Sequence, residues 1–361
     1  MSKSQSFQAA AWRRLKKNKG AVFGLVVIAV ALLITILAYF LAPDHSPNAN
    51  RIILEAGGEK PGYSREFIKV KKEKEVISPG FFKHLLNGRE DAYYFIPIIS
   101  YQKKADSMIV QKYVDEGVSE RMAFHQSKLA DDPITTLHFR LGADKYGRDI
   151  LSRIIVGTRV SLSVGLIAVL ISLSIGLLLG SLAGYYRGWV DEVIMWFINV
   201  IWSMPTLLLV FAITLALGKG FWQVFIAIGL TMWVNVARLV RGQVLAEREK
   251  EYVEAAKALG FSGVRAIVRH IWPNIMGPVM VIAAGNFASA IVIEAGLSFL
   301  GVGVQPPVPS WGLMIKENYN FIITQNPMLA LAPGFAIMLL VLAFNLLGNG
   351  LRDALNVRGR L

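Results

Sequence analysis

The chain has 361 residues, no cysteine, 54% hydrophobic residues, a mean hydropathy of +0.47 and a formal net charge of +13. Without cysteine there are no structural disulfides and no thiolate metal sites. In a soluble chain such a positive excess would point to nucleic acid. Here much of it lies beside apolar blocks of about 18–20 residues or more, the length that crosses a bilayer, so it reads as orientation in a membrane, and no nucleic-acid partner is expected.

Residues 1–20 read as an amphipathic helix: Phe7, Ala11 and Leu15 recur every four residues beside Trp12, while Arg13, Arg14, Lys16, Lys17 and Lys19 supply the basic part. Such a helix would lie among lipid headgroups on the cytoplasmic side; the plain alternative is a frayed basic tail. The first span is 21–42. Its apolar run is too long for a typical signal peptide and Tyr39-Phe40-Leu41-Ala42 offers no small-x-small cleavage site, so it reads as an uncleaved anchor with a cytoplasmic N-terminus. A polar stretch follows to 158. Its turn residues (Pro43, Pro47, Gly57-Gly58, Pro61-Gly62, Pro79-Gly80) and aromatics (Phe81, Phe82, Tyr93, Tyr94, Phe95, Tyr101) suit a small packed α/β domain, taken as an extracytoplasmic insertion over 43–137.

Five more spans are expected at about 160–185, 190–217, 221–245, 276–300 and 330–351, within a core of 138–361. With the N-terminus inside, six spans return the C-terminus inside. Arg187, the segment Arg248 through Lys250, Lys257, Arg265, Arg269, Arg352, Arg358 and Arg360 then face the cytoplasm, and only Lys219 and Lys316 fall in the outer short loops. The expected fold class is therefore all-α: a polytopic membrane protein of six transmembrane helices, with an extracytoplasmic domain inserted between the first two. Gly176, Gly180 and Gly184 recur every four residues and suit close helix packing. Pro205 and Pro278 are expected to bend their helices.

The loop 246–275 contains EREKEYVEAAKALGFSGVRAIVRHIWPN. Helix-forming residues run to Leu259; Gly260 then suits a left-handed helix end, Ser262 can cap a second helix, and Pro273 is expected to end it. Ala255, Ala256 and Ala258 would give this helix–turn–helix a slim surface for insertion into another protein, with Glu251, Glu254 and Lys257 at its rim. The residues alone fit an ordinary polar loop equally well.

Glu254-Ala255-Ala256, Gly260 and Pro273 resemble the EAA loop of ABC importer permeases. Three further segments are similar to the dipeptide, oligopeptide and nickel branch: WRRLKKNK at 12–19, LGADKYGRDILSRIIVGTRVSLSVG at 141–165, and EAGLSFLGVGVQPPVPSWG at 294–312. GYYRGWVDEVIMW at 184–196 also fits. Ala143 replaces a threonine of the family pattern, Asn199 stands where relatives commonly carry aspartate, and 43–137 has no counterpart in most relatives. The resemblance implies the type I ABC importer permease architecture in a bacterial inner membrane. In that reading Glu251, Glu254, Ala255, Ala256, Lys257 and Gly260 form the helix that couples to ATPases. The implied partners are a second permease, two ATP-binding subunits and an extracytoplasmic substrate-binding protein, besides membrane lipid. No GxxxxGK[ST] sequence is present, so ATP is expected to be hydrolysed by partner subunits, and neither a bound cofactor nor an enzymatic activity is expected of this chain.

Polar residues inside spans are costly and usually face protein or a water-filled cavity, which makes Asn199, Ser203, Asn235, Asn286, Ser289, Glu294 and Asn345 candidates for the pathway. For Glu294 the plainer role is a carboxylate satisfied near a helix end. Asp144, Gly147, Arg148 and Asp149 belong to the 141–165 motif, where a local Arg148–Asp149 salt bridge is expected. His270 has no acid or nucleophile near it in sequence and reads as a packing residue; no His/Asp/Glu spacing suggests a metal site. The substrate is expected to be a di- or oligopeptide, with nickel chelates and peptide-like antibiotics as alternatives. From other classes, a membrane sensor would need a cytoplasmic output domain, and only about ten residues follow the last span; a membrane enzyme would need a convergent catalytic set.

Overall fold

The computed structural model describes residues 7–73, 76, 79–218, 220–323 and 326–355. Lys219, Arg358 and Arg360, which entered the charge asymmetry above, lie outside the described residues. Helix α1 (Phe7–Lys17) is followed after one residue by α2 (Lys19–Leu41), whose N-terminus is capped by Asn18: its Oδ1 accepts a hydrogen bond from the Ala21 N–H at 3.1 Å. The basic residues of α1 are exposed, as an interfacial helix requires, but Leu15 is buried against Ala21 and Ala354 and so faces protein instead of lipid.

The insertion is not helical, and the all-α class holds only for the apolar segments. Strands β1 (Tyr63–Lys71), β2 (Tyr93–Lys103), β3 (Ser107–Asp115), β4 (Val118–His125) and β5 (Leu129–Phe139) form one antiparallel sheet in the order β4-β3-β2-β1-β5; a short helix, α3 (Phe81–Asn87), joins β1 to β2. The expected α/β alternation fails because two-residue turns, Ala105-Asp106 and Glu116-Gly117, reverse the chain directly; Gly117 takes φ +76° in the second. Alternation along β1 sends Phe67 to one face, with Ile53, Ala56, Phe139 and Ala143, and Ile68 to the other, with Ile98, Met108, Val110 and Leu129. The edge strand β5 carries Asp131, Asp132 and Pro133, which discourage pairing with a further strand.

The remaining elements are α4 (Ile150–Tyr186), α5 (Gly188–Trp202), α6 (Thr206–Leu217), α7 (Phe221–Arg248), α8 (Glu251–Ala258), α9 (Gly263–Ala266), a π-helical turn at Ile267–Ile271, α10 (Trp272–Leu300), α11 (Trp311–Asn318) and α12 (Met328–Leu355). Among the described residues five helices are long and apolar enough to cross a membrane, and six if α5 and α6 count as one span. Those two are bent by 94°. Pro205 has no N–H to donate and itself takes an extended ψ of 121°, so α5 stops at Trp202 and α6 restarts at Thr206. Pro278, by contrast, lies inside a continuous α10. Pro273 does not end a helix: it sits in the first turn of α10, where its missing N–H costs little, and the π-helical turn leads into it.

The chain divides into two units, Met1–Leu32 with Ser161–Gln305 and Ile337–Leu361, and Leu33–Val160 with Pro306–Ala336. In the first, the glycines of α4 let its backbone close on α7. A Cβ at Gly176 would lie 2.5 Å from the Val236 Cβ, one at Gly180 2.5 Å from the Ala237 carbonyl oxygen, and one at Gly184 2.8 Å from the Arg241 carbonyl oxygen. Gly229 of α7 returns the fit against Ile171.

Candidate functional site

The turn between α7 and α10 is built by local signals. Gly260 has φ +78°, the Phe261 N–H reaches the Ala256 carbonyl at 3.1 Å, and the Gly260 N–H reaches the Lys257 carbonyl at 2.9 Å, a Schellman ending of α8. Ser262 then caps α9, its side chain accepting from the Arg265 N–H. Phe261 sits between the Arg265 guanidinium, 4.4 Å from its ring centroid, and the His270 ring, stacked at 5.6 Å; His270 is thus a packing residue.

Helix α8 is held from one side. Val253 is buried in a cluster with Tyr185, Val236, Val240 and Val244 before the turn and Ala266, Ile267, Ile271, Ile275 and Val279 after it, and Ala256 is buried as well. Ala256 therefore cannot belong to an outward surface. Glu251, Glu254, Ala255, Lys257, Ala258 and Gly260 are exposed, joined by Leu259 at 75% exposure, which sequence reasoning passed over. The two glutamates lie in the first turn of α8 and Lys257 in the last, both favourable to its dipole.

A cavity of about 420 Å³ opens among α5, α6, α7, α10 and α12. Asn235, Asn286, Ser289 and Asn345 all line it, although they come from three helices; Trp202, Thr206 and Thr231 join them and were not foreseen. The structure does not bring the other expected residues there. Asn199 accepts a hydrogen bond from the Arg238 guanidinium at 3.3 Å, and the Ser203 hydroxyl donates to the Val200 carbonyl at 2.8 Å. Glu294 is fully buried and accepts from the Ser298 hydroxyl at 2.6 Å; that hydroxyl accepts in turn from the Val304 N–H at 3.0 Å.

In the second unit the motif residues form a polar knot. The expected Arg148–Asp149 bridge is absent because Asp149 is the cap of α4, accepting from the Ser152 N–H at 2.8 Å. Arg148 donates instead to Asp144 at 2.6 Å and to Glu317 at 2.7 Å, and buried Arg153 lies 3.9 and 3.7 Å from the same two carboxylates. Asp144 also accepts the N–H groups of Tyr146 and Arg148. Gly147 (φ +72°) passes so close to the Ile53 carbonyl that a Cβ would lie 1.7 Å from its oxygen. Arg159 donates to the carbonyls of Thr35, Leu85 and Leu86, which fixes α3 beside α2.

Long apolar helices around a polar cavity define a polytopic membrane transport protein. Residues 176–360 match the family of binding-protein-dependent transport system inner membrane components, and residues 6–55 match the N-terminal TM domain of oligopeptide transport permease C. The glutathione transport system permease protein GsiD of Pectobacterium atrosepticum is 42% identical over 233 residues, covering 64% of this chain and 76% of that protein. The dipeptide transport system permease protein DppC of Alkalihalophilus pseudofirmus is 44% identical over 215 residues, covering 60% and 70%. Among solved structures, the inward-facing MetNI methionine ABC transporter gives a TM-score of 0.48 at 16% identity, over 57% of this chain and 97% of that one. The chain belongs to the binding-protein-dependent transport system inner membrane components: it is a multi-pass membrane permease. The family match takes in both the α8 turn and the cavity; the sheet falls outside it.

Proposed function

We propose that the chain is one of two permease subunits of an ATP-driven importer of peptides, and that α8 is its coupling helix to separate ATP-binding subunits. One observation carries the reading. The cluster that buries Val253 continues along α7 (Val236, Val240, Val244) and α10 (Ile275, Val279), and those same two helices bring Asn235, Asn286 and Ser289 to the cavity. A push on the exposed face of α8 is therefore transmitted through close-packed side chains to the cavity walls, the kind of two-state packed element that transport requires. ATP belongs in this reading to the partner subunits, and an extracytoplasmic binding protein delivers the substrate. The peptide class follows from the relatives named above.

Contacts within the first unit support six crossings. Arg248 donates to the Tyr185 carbonyl and Arg187 pairs with Glu249, which supports α4 and α7 ending on the same side and α5 with α6 forming a single bent span between them. Leu15 and Ala354 share a cluster, which supports having both ends of the permease on one side. The basic residues of α1, the α4–α5 turn and the α7–α10 turn favour the cytoplasm for that side in this reading.

The test is co-purification of the full chain with its candidate ATPases, followed by ATPase activity and uptake of a labelled peptide pool. Wild type should capture an ATPase and drive uptake, while Glu254→Lys and Ala255→Trp insert normally and lose both. If no ATPase binds, or if both variants behave as wild type, the coupling reading falls and a sensor with an outer ligand domain takes its place.

A further inference from the structure

Helix α7 carries two arginines one turn apart in different circumstances. Arg241 is neutralised by Asp191 through a two-pronged contact at 2.5 and 2.6 Å. Arg238 takes part in none of the ion pairs formed among the described residues. Its guanidinium carbon lies 3.8 Å from the centroid of the Trp202 ring, it donates to the Asn199 amide oxygen at 3.3 Å, and its Nε is buried without a hydrogen-bond partner. A ring face and an amide oxygen orient a guanidinium but do not cancel its charge.

The location gives that charge a use. Asn235, one turn before Arg238, and Trp202, on which it stacks, both line the cavity; Arg238 itself is not a lining residue but neighbours two that are. The polar groups of the wall are otherwise neutral amides and hydroxyls: Asn235, Asn286, Ser289, Asn345, Thr206 and Thr231. An uncompensated cation inside a membrane helix is expensive and is kept where it meets an aqueous path or an anion.

We propose that Arg238 receives a carboxylate of the transported solute, in a peptide the C-terminal carboxylate, with Trp202 and Asn199 orienting the guanidinium beside the cavity. This rests on the peptide-permease reading above. The neutral wall suits the amide groups of a peptide backbone, and the cation selects the end that carries the negative charge.

The experiment uses the complete transporter with its binding protein in liposomes, and the uptake of one labelled tripeptide with a free C-terminal carboxylate or as its carboxamide. Any preference of the binding protein is common to all variants, so the acid-to-amide uptake ratio, compared with wild type, reports the membrane step alone. Arg238→Gln should lower that ratio about tenfold to a hundredfold, the worth of a charge-assisted hydrogen bond. Asn199→Asp, which sets a carboxylate on the same guanidinium, should lower it as well, and Arg238→Lys should restore part of it. The Asn199→Asp and Arg238→Lys variants decide the matter if Arg238→Gln fails to assemble. Ratios unchanged in every variant that assembles, with both peptides slowed equally, would overturn the carboxylate site and assign Arg238 to packing or to the partner permease. A wild-type transporter that couples to its ATPases but moves neither peptide would overturn the peptide reading, and the carboxylate site with it.

Discussion

The close approach of α4 to α7 should make Gly180→Ala destabilising, although alanine is the better helix former. The added Cβ would stand 2.5 Å from the Ala237 carbonyl oxygen, 2.9 Å from the Val240 Cβ and 3.0 Å from the Ala237 Cα. Two of these three neighbours are backbone atoms, so no side-chain rotation relieves the contact and the helices must part by several tenths of an ångström. Overpacking of this kind costs about 1–3 kcal/mol, and helix propensity returns about 1 kcal/mol at most. Separation also loosens Gly176 against Val236 and Gly184 against Arg241, which lie on the same seam, so the balance is a loss of about 1–2 kcal/mol. Gly242 provides the control on α7: nothing lies within 4 Å of its added Cβ, so Gly242→Ala should gain up to about 1 kcal/mol. Thermal unfolding of the purified chain in one detergent should therefore separate the two variants by roughly 1–4 °C, with wild type between them. If Gly180→Ala melts at or above Gly242→Ala, the glycine seam does not hold α4 to α7 and the packing argument fails.

Two further outcomes follow from polar groups of the second unit. Burial raises the Asp149 carboxyl above its ordinary value, so the charged form is disfavoured in the fold and stability is lost as pH rises through that raised value. Asp149→Asn keeps the cap acceptor without the charge and should melt at or above wild type at pH 8, an advantage that shrinks as pH falls; Asp149→Ala also sheds the charge but loses the cap, and should be about 1 kcal/mol less stable than Asp149→Asn at every pH. Arg159→Ala orphans the carbonyls of Thr35, Leu85 and Leu86, and amide hydrogen exchange over 81–87 should quicken by about tenfold or more, with Arg159→Lys intermediate; unchanged exchange would mean that α3 is held by other contacts.

What the residues announced and what they hid divides by range. The α8 turn was legible because its signals are local: Gly260 supplies a left-handed ending and Ser262 a cap within three residues of each other. The glycine period of α4 was legible for the same reason, since i, i+4 spacing alone defines a face. Pro205 announced a bend, but hydropathy sums over a window and could not show that α5 and α6 turn by 94°. The sheet was missed as a sheet because its Ala105-Asp106 turn carries no glycine and its edge strand β5 carries Asp131-Asp132-Pro133, which reads as a loop.

Charge partners were the least legible, and there the cost of misreading is largest. Asp149 follows Arg148 in sequence, yet the carboxylates that meet Arg148 are Asp144, four residues back, and Glu317, 169 residues on. Adjacency failed because Asp149 was already committed to the N–H of Ser152, a local demand that outranks a neighbour's charge. The same logic gives Arg238 its meaning. Arg241, one turn away, shows that this surface of α7 can supply a carboxylate to an arginine when Asp191 is in reach. Arg238 is offered only the Asn199 amide and the Trp202 ring. A sequence scan for polar residues in apolar spans finds Asn199 and Asn235 but gives no weight to the difference between a paired and an unpaired cation. That difference exists only in three dimensions, and it is what turns an arginine in a membrane helix from a packing element into a group able to meet an anion.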